Sequence, residues 1–284
     1  MITQQEIQTL SQDIQNMSNS PTVYDKNNKP TLGNDDLFFY SDKQNLTEYI
    51  KNKKSYTLMP QLQFPPEPWI GNIINPSVIL LSGNPGFGVA PVKGNLARIK
   101  NLSGPQFKDF QKIFADQLEG TNTDQENYLT HQLSGNQNDP IVIGDGDYWK
   151  NVLGKLNLSD DKIKKIAVFE VHPYHTVKYE NIGEKNLLPS QIYILDKIKN
   201  LSNDKTIFII MRDRKYWKKN LSEILRAAAR DNRLFMLSSA QNNVITENNI
   251  LLYTSELWDL EENLEKKKNE CKDGAYTCLL NSIL

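Results

Sequence analysis

The chain has 284 residues, of which 24% are charged and 38% hydrophobic, and it carries a net charge of −1. This composition is typical of a globular protein with a substantial core, and the near-neutral charge argues against a surface built throughout to bind nucleic acid. Only two cysteines occur, Cys271 and Cys278, too few for a disulfide framework or a zinc cluster. No leader or long apolar run is recognisable, so we expect a cytoplasmic protein without membrane partners. We also expect neither a metal nor a cofactor.

Residues 1 to 55 are predicted to be a short amphipathic helix followed by an irregular extension. Ile7, Leu10, Ile14 and Met17 are three or four residues apart, which places them on one face of a helix. Residues 18 to 54 are polar and rich in Asn and Lys, which is typical of a loop or a loosely packed segment. Residues 56 to 284 are expected to form a single α/β domain that ends in a C-terminal helix.

A proline-rich connector leads into the first predicted strand. Four prolines between Pro60 and Pro68 disfavour a helix or a central strand, so this segment is expected to be extended. The apolar run from Ser77 to Leu81 follows, bounded by Pro76 and by a loop rich in Gly, Asn and Pro. A short continuous apolar run of this kind is typical of a strand that is buried on both faces.

Three further strands are predicted, at residues 165–171, 206–211 and 234–237. Helices are expected from Ser103 onward, around Trp149, and over the apolar positions that begin at Ile192 and at Trp217. Alternation of strands and helices is typical of a mostly parallel sheet, here of about four strands, covered by helices on both faces. Ligands bind such sheets at the carboxyl ends of the strands.

The loops that follow the four strands, residues 82–88, 172–176, 212–216 and 238–246, are therefore expected to lie along one edge. The first permits close approach to a ligand through its glycines, and the Asn84 amide both donates and accepts hydrogen bonds. The second holds His172 and His175, which suit proton handling. An ordinary turn and two structural histidines are the alternative, and a metal ion shared by the histidines lacks an evident third ligand.

A basic segment follows the third strand. Between Arg212 and Arg233 there are eight Lys or Arg against three Asp or Glu, a net charge of +5. We interpret it either as a phosphate-facing surface or as the solvated face of a helix. The aromatic residues Phe87, Tyr174 and Trp217 either stack on a planar ligand or belong to the core. The sequence has neither a phosphate-binding loop with its lysine nor a G-x-S-x-G elbow, which argues against nucleotide hydrolysis and serine esterase chemistry.

Three blocks of sequence resemble uracil-DNA glycosylase superfamily proteins: Pro66-Glu67-Pro68-Trp69-Ile70-Gly71-Asn72, Val78-Ile79-Leu80-Leu81 and Gly83-Asn84-Pro85-Gly86. The later strand-end loops resemble those of a bacterial branch of that superfamily, and the resemblance runs in order over residues 60 to 252. It implies a uracil-DNA-glycosylase-like fold and gives Asn84 the task of orienting the attacking water. It also implies a base-binding set of Gly83, Pro85, Gly86, Phe87 and Tyr174, and a DNA-binding set of Arg212, Arg214, Lys215, Trp217, Gln241, Asn242 and Asn243.

The activity implied is hydrolysis of the N-glycosidic bond of an unusual base in DNA, in which the base leaves the stack and departs with negative charge. The family's last motif, a His- or Asn-Pro-Ser loop, corresponds to residues 238–246, which contain no histidine and no proline. We hypothesise that His172 or His175 stabilises the departing base instead. One alternative is a catalytically inactive protein of the same fold that binds nucleic acid or a nucleotide. The other is a protein-interaction module that uses the N-terminal stretch and the C-terminal helix.

Overall fold

The computed structural model describes residues 39–52, 58, 60, 66–84, 151–176, 179–183, 186–238, 244–259 and 274–283. These residues form an α/β fold around a six-stranded mixed sheet. The strands are β1 (Trp69–Gly71), β2 (Val78–Leu81), β3 (Ile166–Phe169), β4 (Ile207–Ile210), β5 (Leu234–Leu237) and β6 (Ile250–Leu252). Their order across the sheet is β1-β3-β2-β4-β5-β6.

The four central strands, β3, β2, β4 and β5, are mutually parallel and coincide with the four predicted apolar runs. All of their residues are buried, as in a sheet that is covered on both faces. The prediction of the α/β class is therefore confirmed. The prediction of a mostly parallel sheet of about four strands is wrong, because β1 and β6 add antiparallel edges to β3 and β5. Each edge strand has three residues, too few for a recognisable pattern.

Helices cover both faces of the sheet. They are α1 (Lys43–Asn52), α2 (Asp160–Ile163), α3 (Pro189–Leu201), α4 (Arg214–Asn220), α5 (Ser222–Arg230), α6 (Ser255–Asp259) and α7 (Ala275–Ile283). Successive strand residues point to opposite faces, so Val78 and Leu80 share a core with α1 and α7, whereas Ile79 and Leu81 share the other core with α3, α4 and α5. Within the part of the chain that the structure describes, no helix is long and apolar enough to cross a membrane.

Residues 39–52 are packed against the sheet, although they were expected to be a loop or a loosely packed extension. Phe39, together with Leu46 of α1, is buried in the core. The Asp42 carboxylate accepts hydrogen bonds from the Tyr174 hydroxyl at 2.7 Å and from the Ser190 backbone N–H at 2.9 Å. This segment is thereby tied to the loop after β3 and to the start of α3. The helices predicted over residues 7–17 and from residue 103 lie outside the described residues.

The strand order creates a topological switch point at the carboxyl end of β2. The chain passes from β2 to β3 on one side of it and later reaches β4 on the other side. The connections after β2 and β4 therefore separate at this point, and open α/β sheets bind ligands in the crevice that results. Three of the predicted strand-end loops, those after β2, β3 and β4, meet here.

Candidate functional site

Backbone hydrogen bonds hold the three loops side by side beyond the ends of their strands. The Ser82 N–H donates to the Phe169 carbonyl at 2.8 Å, and the Val171 N–H donates to the Gly83 carbonyl at 2.9 Å. On the other side, the Met211 N–H donates to the Leu81 carbonyl at 2.8 Å. The side chains that follow these bonds are consequently placed by the sheet itself.

Asn84 links the loop after β2 to the loop after β3. Its side chain is buried, and its Nδ2 donates to the Thr176 hydroxyl oxygen at 2.7 Å. This bond fixes the rotamer of an amide that both donates and accepts hydrogen bonds. A neutral amide cannot remove a proton from water, but a fixed one can orient it.

His175, in the loop after β3, forms a buried pair with Glu67, which precedes β1. The His175 Nε2 lies 4.0 Å from the Glu67 Oε2, and only 4% of His175 is exposed. The Glu67 backbone N–H donates to the Pro173 carbonyl at 2.7 Å, which holds the segment before β1 against the loop that carries His175. Thr176, the partner of Asn84, is the next residue in the chain, so the loop after β3 takes part in both contacts.

Glu170 is a fully buried acid that the sequence prediction did not select. It follows β3 directly, with 2% of its surface exposed. The pKa of Glu170 is raised to about 8, chiefly by burial. The hydrogen bond from Ser82 lowers it, the Glu67 carboxylate raises it, and Arg212 lowers it. Glu170 is therefore mostly protonated at neutral pH. The sequence feature that could have identified Glu170 is its position as a single acidic residue at the end of an apolar run.

Gly83, Tyr179 and Arg212 pack closely at the end of β2. A Cβ added to Gly83 would lie 3.0 Å from the Tyr179 Cδ2 and 3.3 Å from the Arg212 Cδ, so the glycine leaves room for both side chains. The Tyr179 hydroxyl donates to the carboxylate of Asp213, whose left-handed backbone (φ 46°) begins α4. Burial and this bond both raise the pKa of Tyr179. Sequence reasoning did not select Tyr179 or Asp213.

His172 was predicted to be catalytic, but both of its ring nitrogens form hydrogen bonds with backbone groups. Its Nε2 lies 2.9 Å from the Glu180 carbonyl oxygen, and its Nδ1 accepts a hydrogen bond from the Tyr174 N–H at 3.3 Å. These contacts fit the neutral tautomer with the proton on Nε2. Burial lowers the pKa of His172 to about 4, which keeps the ring uncharged at neutral pH. Its ring lies parallel to that of Tyr179, with the centroids 6.2 Å apart, and the arrangement favours a structural role.

Two aromatic residues predicted to contact the ligand lie in the core. The Tyr174 hydroxyl donates to Asp42 and accepts a hydrogen bond from the Phe39 N–H at 3.2 Å, with 2% of the residue exposed. Trp217 is completely buried, and its Nε1 donates to the Ser82 carbonyl at 3.1 Å. Both side chains are buried and hydrogen-bonded within the protein, so their predicted contact with a base has no support in this geometry.

The basic residues at the start of α4 differ from Lys218 in their surroundings. Arg212 and Arg214 are half-buried and Lys215 is exposed, all at or just before the start of α4. Lys218, in contrast, is held by α6: its Nζ donates to the Trp258 carbonyl at 2.9 Å and lies 4.4 Å from the centroid of the Trp258 ring. Arg212, Arg214 and Lys215 therefore remain candidates for contacting phosphate at this edge of the sheet, whereas Lys218 does not.

Part of the predicted site lies outside the described residues, namely Pro85, Gly86 and Phe87 after β2, and Gln241, Asn242 and Asn243 after β5. The roles predicted for them stay predictions. Over the residues that the structure does describe, no group of three or more His, Cys, Asp or Glu is arranged to hold a metal ion. Comparisons with family models, curated proteins and solved structures found no match to this chain.

Proposed function

We propose that this edge of the sheet hydrolyses an N-glycosidic bond of a base in DNA. The observation that carries the proposal is the convergence of the Asn84 amide, the His175 and Glu67 pair, and the Glu170 acid at the switch point of the sheet. The reaction needs a group that orients water and a group that accepts its proton. The resemblance of the loop Gly83-Asn84-Pro85-Gly86 to the uracil-DNA glycosylase superfamily supports the same assignment.

In this mechanism Asn84 orients the attacking water, and His175 accepts its proton. The imidazolium that forms faces the Glu67 carboxylate at 4.0 Å, which stabilises its charge. The base first leaves the helical stack, which costs a few kcal/mol. Arg212, Arg214 and Lys215 supply positive charge at the same edge, where the phosphates that flank an extruded base are expected to bind.

The test is a cleavage assay on oligonucleotides that carry uracil, hypoxanthine or modified pyrimidines, in single and double strands, with abasic sites revealed by alkali. We expect Asn84→Ala and His175→Gln each to lower kcat about 100-fold, the lower range for loss of an orienting or proton-accepting group. Asn75→Ala, at an exposed asparagine before β2, is the matched control and should keep full activity. Failure to cleave any of the bases, or full activity in Asn84→Ala, would refute the proposal.

A non-catalytic DNA-binding protein is the second candidate, and the neutral side chain of Asn84 favours it, because an amide provides no base of its own. This candidate predicts binding that weakens with salt and is not followed by cleavage. Lys215→Glu should weaken binding and reduce the salt dependence, while Lys51→Glu, the same charge change at an exposed site on α1, should not. Cleavage by the unaltered protein would exclude this candidate.

A further inference from the structure

Glu170 has one carboxyl oxygen that none of the described residues engages. The Ser82 hydroxyl bonds the carboxyl group, but the Oε2 atom is buried without a hydrogen-bond partner. A buried polar oxygen in this condition costs free energy, and native proteins keep few of them. This atom lies at the carboxyl end of a parallel strand, where we expect a bound ligand to supply the missing hydrogen-bond partner.

The groups around Glu170 determine its charge. Glu67 faces it from the segment before β1, Arg212 from the loop after β4, and Tyr179 from the loop after β3, while the Ser82 hydroxyl contacts it from the end of β2. Arg212 favours the carboxylate, but burial and Glu67 favour the acid and prevail. A neutral carboxylic acid carries an O–H donor, which a carboxylate lacks.

We infer that Glu170 is the acid that protonates the departing base, donating from its unpartnered carboxyl oxygen to a carbonyl of a lactam-type base. The inference rests on the proposed function and goes beyond it, since it names a further catalytic residue and the chemistry of the base. An acid that its site keeps neutral can stabilise an anion that develops next to it. His172 cannot supply this proton, because its Nε2–H already bonds the Glu180 carbonyl.

Proton transfer from Glu170 completes the hydrolysis. The bond between the sugar carbon and the base nitrogen breaks, its electron pair passes to the base, and the Glu170 proton neutralises the base at its carbonyl oxygen. The water oxygen bonds the sugar carbon, and the water proton passes to His175. When the products leave, His175 gives up that proton and Glu170 regains one, so that the net reaction is the addition of one water across the bond.

The first experiment observes the acid directly, without any need for turnover. The infrared difference spectrum of the unaltered protein against Glu170→Gln should show a protonated carboxyl band at pH 7. That band should disappear as the pH rises through about 8 and should shift when free uracil is added. Absence of the band at pH 7, or a band that uracil leaves unmoved, would overturn the inference.

The second experiment uses turnover on oligonucleotides that carry uracil or 5-fluorouracil, the latter a better leaving group. Glu170→Gln should lower kcat on uracil about 100-fold or more, with a smaller loss on 5-fluorouracil and an unchanged KM. We expect kcat of the unaltered protein to decline as the pH rises through about 8, and Glu170→Gln should abolish this decline. Glu48→Gln, at an exposed glutamate of α1, is the control.

The outcomes separate the two proposals. Equal losses on both substrates with an unchanged pH profile would overturn the role of Glu170 while the proposed function stands. No cleavage by the unaltered protein would refute the proposed function together with the proton transfer. If the protein does not cleave, the shift of the Glu170 carboxyl band on addition of uracil still shows whether Glu170 contacts the base.

Discussion

Gly83 shows how a single residue shapes the candidate site, because its missing side chain is what lets Tyr179 and Arg212 approach the end of β2. In Gly83→Ala the new Cβ would lie 3.0 Å from the tyrosine ring and would force it to move. We expect a loss of about 1–3 kcal/mol in the free energy of unfolding, typical of overpacking. Gly154→Ala is the control, since a Cβ there meets no atom within 4 Å. Equal urea midpoints for the two variants would contradict this account.

His172 offers a second prediction for a single residue. A catalytic histidine would change charge near neutral pH. The His172 ring is buried and hydrogen-bonded at both nitrogens, so it should remain neutral down to about pH 4. Nitrogen NMR of the histidine side chains should therefore show one ring that keeps its proton on Nε2 between pH 5 and 8. A ring at this position that titrates near its ordinary pKa of 6.5 would restore the catalytic interpretation.

The sequence allowed Asn84 and His175 to be selected, because each is a polar residue in a loop that follows an apolar run, and such loops are visible without a structure. It did not reveal Glu170 or Tyr179 as parts of the site. Their importance depends on what surrounds them, namely burial against Ser82 and Arg212 in one case and packing on Gly83 in the other. Sequence spacing alone carries no information on such tertiary contacts.

At the scale of elements, α4 contains a lysine that sequence analysis counted with the phosphate-facing charges. Lys218 instead joins α4 to α6, through its hydrogen bond to the Trp258 carbonyl and its position over the Trp258 ring. Lys218→Met keeps the apolar stem but loses both interactions, so we expect a loss of about 1–3 kcal/mol in the free energy of unfolding. Lys219→Met, at the exposed neighbouring position, is the control. Hydrogen exchange of the α6 amides should become faster in the first variant only.

The edge strands and α1 are the secondary-structure elements that the sequence did not predict. β2, β3, β4 and β5 were predictable, since an apolar run of four residues between turn residues has few other interpretations. β1 and β6 exist because an antiparallel segment pairs with each outer parallel strand, which is a property of the sheet and not of three residues. The segment that contains α1 is polar overall. Its two buried apolar residues, Leu46 and Ile50, are too few to predict a packed helix from the sequence.

At the scale of the whole molecule, the packing of residues 39–52 changes how a protein-interaction role is tested. Removal of residues 1–54 would delete Phe39, Leu46 and Asp42 from the core and would unfold the protein for reasons unrelated to a partner. Removal of residues 1–38 leaves these contacts in place. Loss of partner binding in that shorter deletion, with a normal unfolding midpoint, is the result that would support an interaction module.

The pH dependence of stability follows from two buried groups that act in opposite directions. The pKa of His172 is lowered from 6.5 to about 4, so its contribution is present above pH 6.5 and is lost as the pH falls to about 4. The pKa of Glu170 is raised from 4.5 to about 8, so its contribution is present below pH 4.5 and is lost as the pH rises through about 8. Above pH 6.5, of these two groups, only Glu170 still changes the free energy of unfolding.

Glu170→Gln should therefore gain stability relative to the unaltered protein as the pH rises from 6.5 to 8. The folded protein binds more protons at Glu170 than the unfolded chain in this window, and the relative gain should amount to about 2 kcal/mol. Urea unfolding at several pH values measures it, and other titrating groups cancel in the difference between the two proteins. Glu48→Gln should run parallel to the unaltered protein. A constant difference across the window would mean that Glu170 is ionised in the folded state, and it would remove the physical basis for its role as an acid.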